Sequence, residues 1–230
     1  MKPLHTDRQF EGDLTTLREK LLLMGAKVEG MIVDALRSLV ERDAALARAV
    51  IARDGEVDHL EVEIDELALQ ILALRQPAAS DLRFITLAMK INTDLERIGD
   101  LATNIAERSY ELIAEPALKP YVDLQRLGAA VRTMLRDALD SFVSRDAKRA
   151  EEVRARDAEV DQLHAQIFQE VQGMMVKDVD TIRRGTRLLF VSKYLERIAD
   201  HATNLAEAVV FLVQGRDIRH TPKIDPSQRS

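Results

Sequence analysis

Residues 95–107 read LERIGDLATNIAE and residues 195–207 read LERIADHATNLAE, so ten of the thirteen positions are identical. A second pair of segments, ALRSLVERDA at 35–44 and ALDSFVSRDA at 138–147, matches at an offset of 103. Matches of this kind indicate two copies of one structural unit. The first pair is offset by only 100. Copy one therefore has three residues more than copy two between these segments, and we expect them in a loop.

Apolar side chains in copy one recur every three or four residues in three stretches, which is typical of amphipathic helices. The stretches run from Phe10 to Ala35, from Val50 to Leu74 and from Ile91 to Ile105. Pro77 should end the second helix, because proline disfavours continuation. With one stripe per helix and short connections, the predicted fold is all-α, with two tandem antiparallel three-helix bundles of six long helices. We predict a first bundle at 1–115, a linker at 116–120, a second bundle at 121–214 and a flexible C-terminal tail at 215–230.

The composition supports a globular helical protein and argues against several other classes. Hydrophobic residues make up 46% of the 230 residues, enough for a core, whereas aromatic residues make up only 4%. The net charge of −6 argues against a nucleic-acid partner, which would require clustered Lys and Arg. No cysteine is present, so any metal ligands must be oxygen or imidazole. No stretch is long enough to span a bilayer and the first residues lack an apolar run, so we expect a cytoplasmic protein.

Acidic residues four positions apart occur on the second and third predicted helices of each copy, and residues at that spacing share a helix face. Like charges so placed repel by about 0.2–0.5 kcal/mol per pair, which a bound cation would offset. We therefore predict a divalent or trivalent metal ion, Mg, Mn, Fe, Ca or Zn, in each copy. The copy-one quartet is Asp54, Asp58, Glu96 and Asp100, and the copy-two quartet is Asp157, Asp161, Glu196 and Asp200.

Four further residues are weaker candidates for ligands: Glu61, Asn104, Asn204 and His201. The two asparagines equally suit capping or bridging of helices, and a surface position suits His201 better than a ligand role. A metal-free scaffold with solvated acidic faces is one alternative to the metal sites. A ferritin-like oxidase or metal store is another, because Glu56 and His59 have the Glu-x-x-His spacing of di-iron bundles, although copy two lacks the histidine. No nucleophile motif or phosphate loop is present, so we predict no catalytic residues and no enzyme.

The two LER segments, together with LRQPAASDLR at residues 74–83, resemble the signatures of the PhoU family of bacterial phosphate-signalling proteins. The resemblance covers nearly the whole chain. It implies a negative regulator of phosphate uptake and of the phosphate-starvation response, coupling the phosphate ABC transporter ATPase to a sensor histidine kinase. It further implies a homodimer that reaches the inner membrane only through its partners. The acidic metal motifs of the family match the two quartets.

Overall fold

The computed structural model describes the backbone of residues 5–218 and the side chains of residues 8–218. Over this range the chain forms helices and no strand, and none of these helices is long and apolar enough to cross a bilayer. The helices are α1 (His5–Glu41), α2 (Ala44–Ile51), α3 (Asp54–Leu74), α4 (Ala79–Ile113), α5 (Val122–Ser144), α6 (Ala147–Lys177) and α7 (Ile182–Gln214), with a 3₁₀ turn at Val179–Thr181.

The all-α fold with two repeated units is confirmed, with one difference in the second helix of copy one. This arm is broken after Ile51 and resumes at Asp54 as α3, whereas its counterpart α6 is continuous. Copy one has Gly55 where copy two has Ala158. Glycine costs a helix interior roughly 1 kcal/mol relative to alanine, so the chain bends more readily there. Six long helical arms result, one of them in two pieces.

The three additional residues of copy one lie in the connection before the third helix, as predicted. Residues 75–78 join α3 to α4, whereas Asp178 alone separates α6 from the 3₁₀ turn that precedes α7. Pro77 lies in the longer connection. The extra length therefore changes one tip of the molecule and leaves the helical arms in register between copies.

A single continuous hydrophobic core runs through both copies. Helices α4 and α7 pack against each other in opposite directions at its centre. At one end the guanidinium of Arg187 donates to Glu111 at 2.5 Å and to Glu115 at 2.6 Å. At the other end the guanidinium of Arg83 lies 5.5 Å from the ring centroid of Phe211. The two bundles thus form one packed body.

Helices α1 and α5 also approach closely, at two equivalent points. A Cβ added to Gly25 would lie 2.7 Å from Leu139 Cδ1, and one added to Gly128 would lie 2.1 Å from Leu36 Cδ1. Gly25 and Gly128 are separated by the repeat offset of 103, and so are Leu36 and Leu139, so the two contacts are equivalent in the repeat. The copies are therefore related by an approximate two-fold axis between α1 and α5.

The predicted linker and tail are partly held by contacts. In the linker, the carbonyl of Pro116 accepts from Arg184 at 3.0 Å, and Lys119 forms ion pairs with Asp123 and Glu170. In the tail, Ile218 is only 2% exposed, and residues 219–230 lie outside the described part of the chain. The predicted boundaries of the four segments stay predictions.

Replacing Arg145 by glycine should stabilise the protein by about 1 kcal/mol, because this residue ends α5 with a left-handed backbone (φ 53°) that glycine adopts without strain. Within residues 8–218 no hydrogen bond or ion pair of the Arg145 side chain is lost. Arg42 has the same conformation after α1 (φ 58°) but donates to the carbonyls of Ile113 and Glu115. Urea denaturation of both variants tests this; an equal gain for Arg42→Gly would contradict the explanation.

Candidate metal centres

The copy-one quartet is brought together by α3 and α4, which pack side by side in opposite directions. Burial raises the pKa of Asp100, and the charges of Asp54 and Asp58 on the facing helix raise it further. The pKa of Glu96 is raised by burial first and then by the charges of Asp100 and Glu61. The predicted carboxylates therefore repel one another across the groove between the two helices.

Neutral side chains hold Asp54 of the quartet and the neighbouring Asp65 of α3 in place. Thr103 donates its hydroxyl to Asp54 Oδ1 at 2.9 Å. The amide of Asn92 donates to Asp65 Oδ1 and to the backbone carbonyl of Glu61, both at 2.9 Å. Such supporting bonds orient potential ligands. Sequence reasoning missed them, although Thr103 lies in the segment that the two copies share.

The copy-two quartet is placed in the same way by α6 and α7. Asp157 is only 4% exposed, and Thr203, the counterpart of Thr103, lies 3.4 Å from its Oδ1. Burial raises the pKa of Asp200, and so do the charges of Glu196 and Asp161. The four predicted residues of copy two are thus also gathered at one groove.

Three substitutions make the copy-two groove chemically different. His164 replaces Glu61; its Nδ1 lies 2.8 Å from the Ser192 hydroxyl, and burial lowers its pKa. Phe168 replaces Asp65 and is 43% exposed. Lys193 replaces Thr93, and its ammonium lies 2.5 Å from Glu196 Oε2. Copy two therefore has fewer carboxylates and one additional cation.

The donor chemistry fits hard cations, since carboxylate oxygens dominate both grooves. In copy one, burial raises the pKa of both Asp100 and Glu96 and neighbouring carboxylate charges raise both further, so a cation would be favourable in this groove. Among the residues with described side chains, however, no three His, Asp or Glu groups already converge on one point as ligands. Binding would therefore require carboxylates to rotate toward a shared ion.

The weaker candidates fall into two groups. Glu61 belongs to the copy-one cluster, where burial and the charges of Asp65 and Asp58 raise its pKa. Asn104 is half-buried on α4. The expectation of a surface histidine at 201 is wrong, because the two bundles pack along this face of α7 and leave His201 8% exposed.

His201 and Asn204 both face Asp94 of α4, which is 6% exposed. His201 Nδ1 lies 2.9 Å from Asp94 Oδ1, and the amide nitrogen of Asn204 lies 3.5 Å from the same oxygen. Asn204 therefore bridges two helices. This polar cluster joins the helix that carries Glu96 to the helix that carries Glu196.

The geometry disfavours the ferritin-like alternative. Glu56 is paired with Lys27 of α1 at 2.6 Å. His59 is 75% exposed at its side chain and is paired with Glu63 at 2.9 Å. A di-iron bundle requires both residues of the Glu-x-x-His motif to project inward, whereas these two form surface ion pairs.

Replacing Glu61 by glutamine should stabilise the metal-free protein at pH 7 by about 0.5 kcal/mol, because it removes a carboxylate whose neighbours raise its pKa. A raised folded-state pKa means that the folded protein binds the proton more tightly than the unfolded chain. The stabilisation that comes from this tighter proton binding is present below the ordinary pKa near 4.5, and it is lost as the pH rises through the folded-state pKa. The gain from Glu61→Gln should therefore shrink on acidification.

The pH dependence can be measured by urea denaturation between pH 7 and pH 4.5 in the presence of chelator. Glu66→Gln is a matched control, because Glu66 is exposed and, being five residues after Glu61, lies on another face of the same helix. A Glu61→Gln variant that is less stable than wild type, or whose gain is independent of pH, would contradict repulsion in the copy-one cluster.

Comparison with known proteins identifies the family of this architecture. The PhoU domain model matches twice, at residues 21–109 and 124–209. A Pseudomonas putida protein named phosphate-specific transport system accessory protein PhoU homolog is 42% identical over 217 residues, covering 94% of this chain and 85% of that protein. A homologue of the same name from Caulobacter vibrioides is 40% identical over 223 residues, covering 96% of this chain and 97% of that protein.

Solved structures show the same fold. The crystal structure of PhoU from Pseudomonas aeruginosa superposes with a TM-score of 0.88 at 39% identity, covering 90% of this chain and all of that one. The phosphate transport system regulatory protein PhoU from Streptococcus pneumoniae superposes with a TM-score of 0.84 at 31% identity, covering 90% of this chain and 98% of that one. Fold and sequence therefore point to one family.

Proposed function

This chain belongs to the PhoU family, and on that premise we propose that it is a negative regulator of phosphate uptake and of the phosphate-starvation response. It couples a phosphate ABC transporter, through the ATPase, to a sensor histidine kinase by protein–protein contacts. The observation that carries the proposal is the pair of PhoU domains, shared with relatives named accessory or regulatory proteins of phosphate transport. These names describe regulation and support a role without catalysis.

Exposed apolar side chains at one tip support a protein-binding role. Val176, Val179 and Ile182, around the connection between α6 and α7, are 81%, 73% and 47% exposed. Copy one has alanines, Ala73 and Ala79, in place of the two valines. Clustered exposed apolar groups are typical of interaction surfaces. The copy-one tip instead exposes Leu74 (67%) and Leu82 (43%), so the two tips offer different apolar surfaces, which suits a protein that contacts two different partners.

The quartets contribute metal sites to this role. Asp54, Asp58, Glu96 and Asp100 in copy one, and Asp157, Asp161, Glu196 and Asp200 in copy two, supply oxygen ligands for Mg, Mn, Fe, Ca or Zn. Bound cations offset the carboxylate repulsion and hold α3 to α4, and α6 to α7, at the grooves. The protein acts in the cytoplasm as a homodimer and reaches the inner membrane through its partners; light scattering of the purified protein tests the dimer.

Affinity capture from phosphate-replete cells tests the regulatory function. The wild-type chain should retain the transporter ATPase and the kinase, and a Val176→Asp/Val179→Asp variant should retain at least one of them less well. Val62→Asp on α3 is the matched control, because Val62 is similarly exposed (52%) but lies on another surface. Recovery of neither partner by the wild-type chain would overturn the proposal.

Elemental analysis of protein purified without chelator tests the metal sites. Glu96→Ala and Glu196→Ala should each reduce the metal content relative to wild type while the helical content by circular dichroism is unchanged. Equal absence of metal from the wild type and both variants would refute metal binding and leave the metal-free scaffold as the better description.

A further inference from the structure

The two quartets differ in a cationic side chain that only copy two has. Lys193 lies three residues before Glu196 on α7, so both side chains emerge on the same helix face. The Lys193 ammonium is 2.5 Å from Glu196 Oε2, and the Glu196 side chain is 14% exposed. The contact is an ion pair by distance, and Oε2 accepts no hydrogen bond of good geometry. Lys193 therefore neutralises charge at this groove.

We propose that Lys193 is a built-in cation of the copy-two quartet and that it makes this quartet the weaker of two unequal metal sites. The inference rests on the proposed function, since it assumes that the copy-one quartet binds a metal ion. Lys193 acts by occupying Glu196 and by repelling an incoming cation.

Copy one has no such cation at the equivalent position. Thr93 stands there, and its hydroxyl donates to the carbonyl of Met89 within the same helix at 3.3 Å. A metal ion that binds the copy-one quartet therefore displaces no side-chain cation from the position of Thr93.

The number of carboxylates adds to the difference between the sites. Copy one adds Glu61 and Asp65 to its quartet, whereas copy two has His164 and Phe168 at these positions. The affinity of a site for hard cations rises with the charge of its ligands. An ammonium a few ångströms from a divalent ion weakens binding further by charge repulsion, which persists even when water screens the charges. Lys193 and these two replacements act in the same direction.

Calorimetric titration of the chelator-treated full chain with Mn²⁺ tests the inference. The wild type should show two classes of site, with copy two at least about tenfold weaker. Lys193→Thr, which installs the copy-one residue, should tighten the weaker site by about tenfold, and Thr93→Lys should weaken the tighter site by a similar factor. Glu96→Gln and Glu196→Gln assign the tight and weak sites, respectively.

Two control variants separate a local effect from a change in total charge. Lys177→Thr removes one positive charge from the far end of α6 and should leave both affinities unchanged. Lys193→Arg keeps the charge and should keep the weaker site weak. Two equal sites in the wild type, or no change in Lys193→Thr, would overturn the inference while leaving metal binding intact. Absence of Mn²⁺ binding in every variant would overturn the proposed metal sites as well.

Discussion

Replacing Phe142 by alanine is expected to lower the free energy of unfolding by about 4 kcal/mol. The ring belongs to α5 of copy two and is 2% exposed. It stacks on Phe84 of α4 in copy one, with ring centroids 5.9 Å apart and planes 9° apart. The substitution removes both the stacking and the packing of a large side chain where the two bundles meet.

The surroundings of the Phe142 ring explain why this loss of unfolding free energy should be near the upper end of the range for replacing a buried aromatic side chain by alanine. Phe84 is 3% exposed, and the guanidinium of Arg18 lies 5.1 Å from its ring centroid. Helices α1, α4 and α5 therefore all contact this pair, and none can move to fill the cavity without disturbing the other two. A cavity that its surroundings cannot fill costs the most.

Urea denaturation followed by circular dichroism measures this loss. Phe168→Ala is the matched control and should cost less than about 1 kcal/mol, because Phe168 is 43% exposed. Since one core spans both copies, Phe142→Ala should still unfold in a single transition. Two separate transitions in the wild type, or equal losses in the two variants, would contradict a shared core between the bundles.

The helices of each copy were predictable because each has an apolar stripe of its own. The residues from Leu14 to Ala35 that form the first stripe are buried on α1. The three-residue offset between the repeated segments correctly placed the longer connection at residues 75–78. The break before Asp54 escaped prediction because the apolar stripe continues through it, although Gly55 was a local signal.

The relation between the bundles was not predictable, because it depends on the second faces of α4 and α7. Asp94 and His201 are far apart in the sequence, and their pairing at 2.9 Å is visible only once the two helices are packed. A charged residue and a histidine outside the apolar stripe resemble surface residues. The ion pair of Lys193 with Glu196, by contrast, has a local spacing that a comparison of the two copies could have found.

Helices α1 and α5 approach closely at Gly25, which has no side chain and whose backbone lies against the side chain of Leu139. A Cβ at Gly25 would lie 2.7 Å and 3.0 Å from the two methyl carbons of Leu139. Rotation of Leu139 about its Cβ–Cγ bond leaves one methyl carbon in the way, so only a change about the Cα–Cβ bond clears the space. At Gly128 a single methyl of Leu36 is in the way, and Leu36 borders an open groove of about 290 Å³. At both positions a larger side chain must displace a leucine of the facing helix.

Replacing Gly25 by leucine should lower the free energy of unfolding by about 3 kcal/mol, because the new side chain forces α1 away from α5. Gly12→Leu is the control on the same helix, since nothing lies within 4 Å of a Cβ there, and it should cost nothing. Adding Leu139→Ala to Gly25→Leu should recover part of the loss, since residues in contact are not additive. Urea denaturation of these variants and of Leu139→Ala alone measures these effects. Equal stabilities for Gly25→Leu and Gly12→Leu would mean that α1 does not approach α5 closely at Gly25, and full additivity with Leu139→Ala would mean that the two residues do not touch.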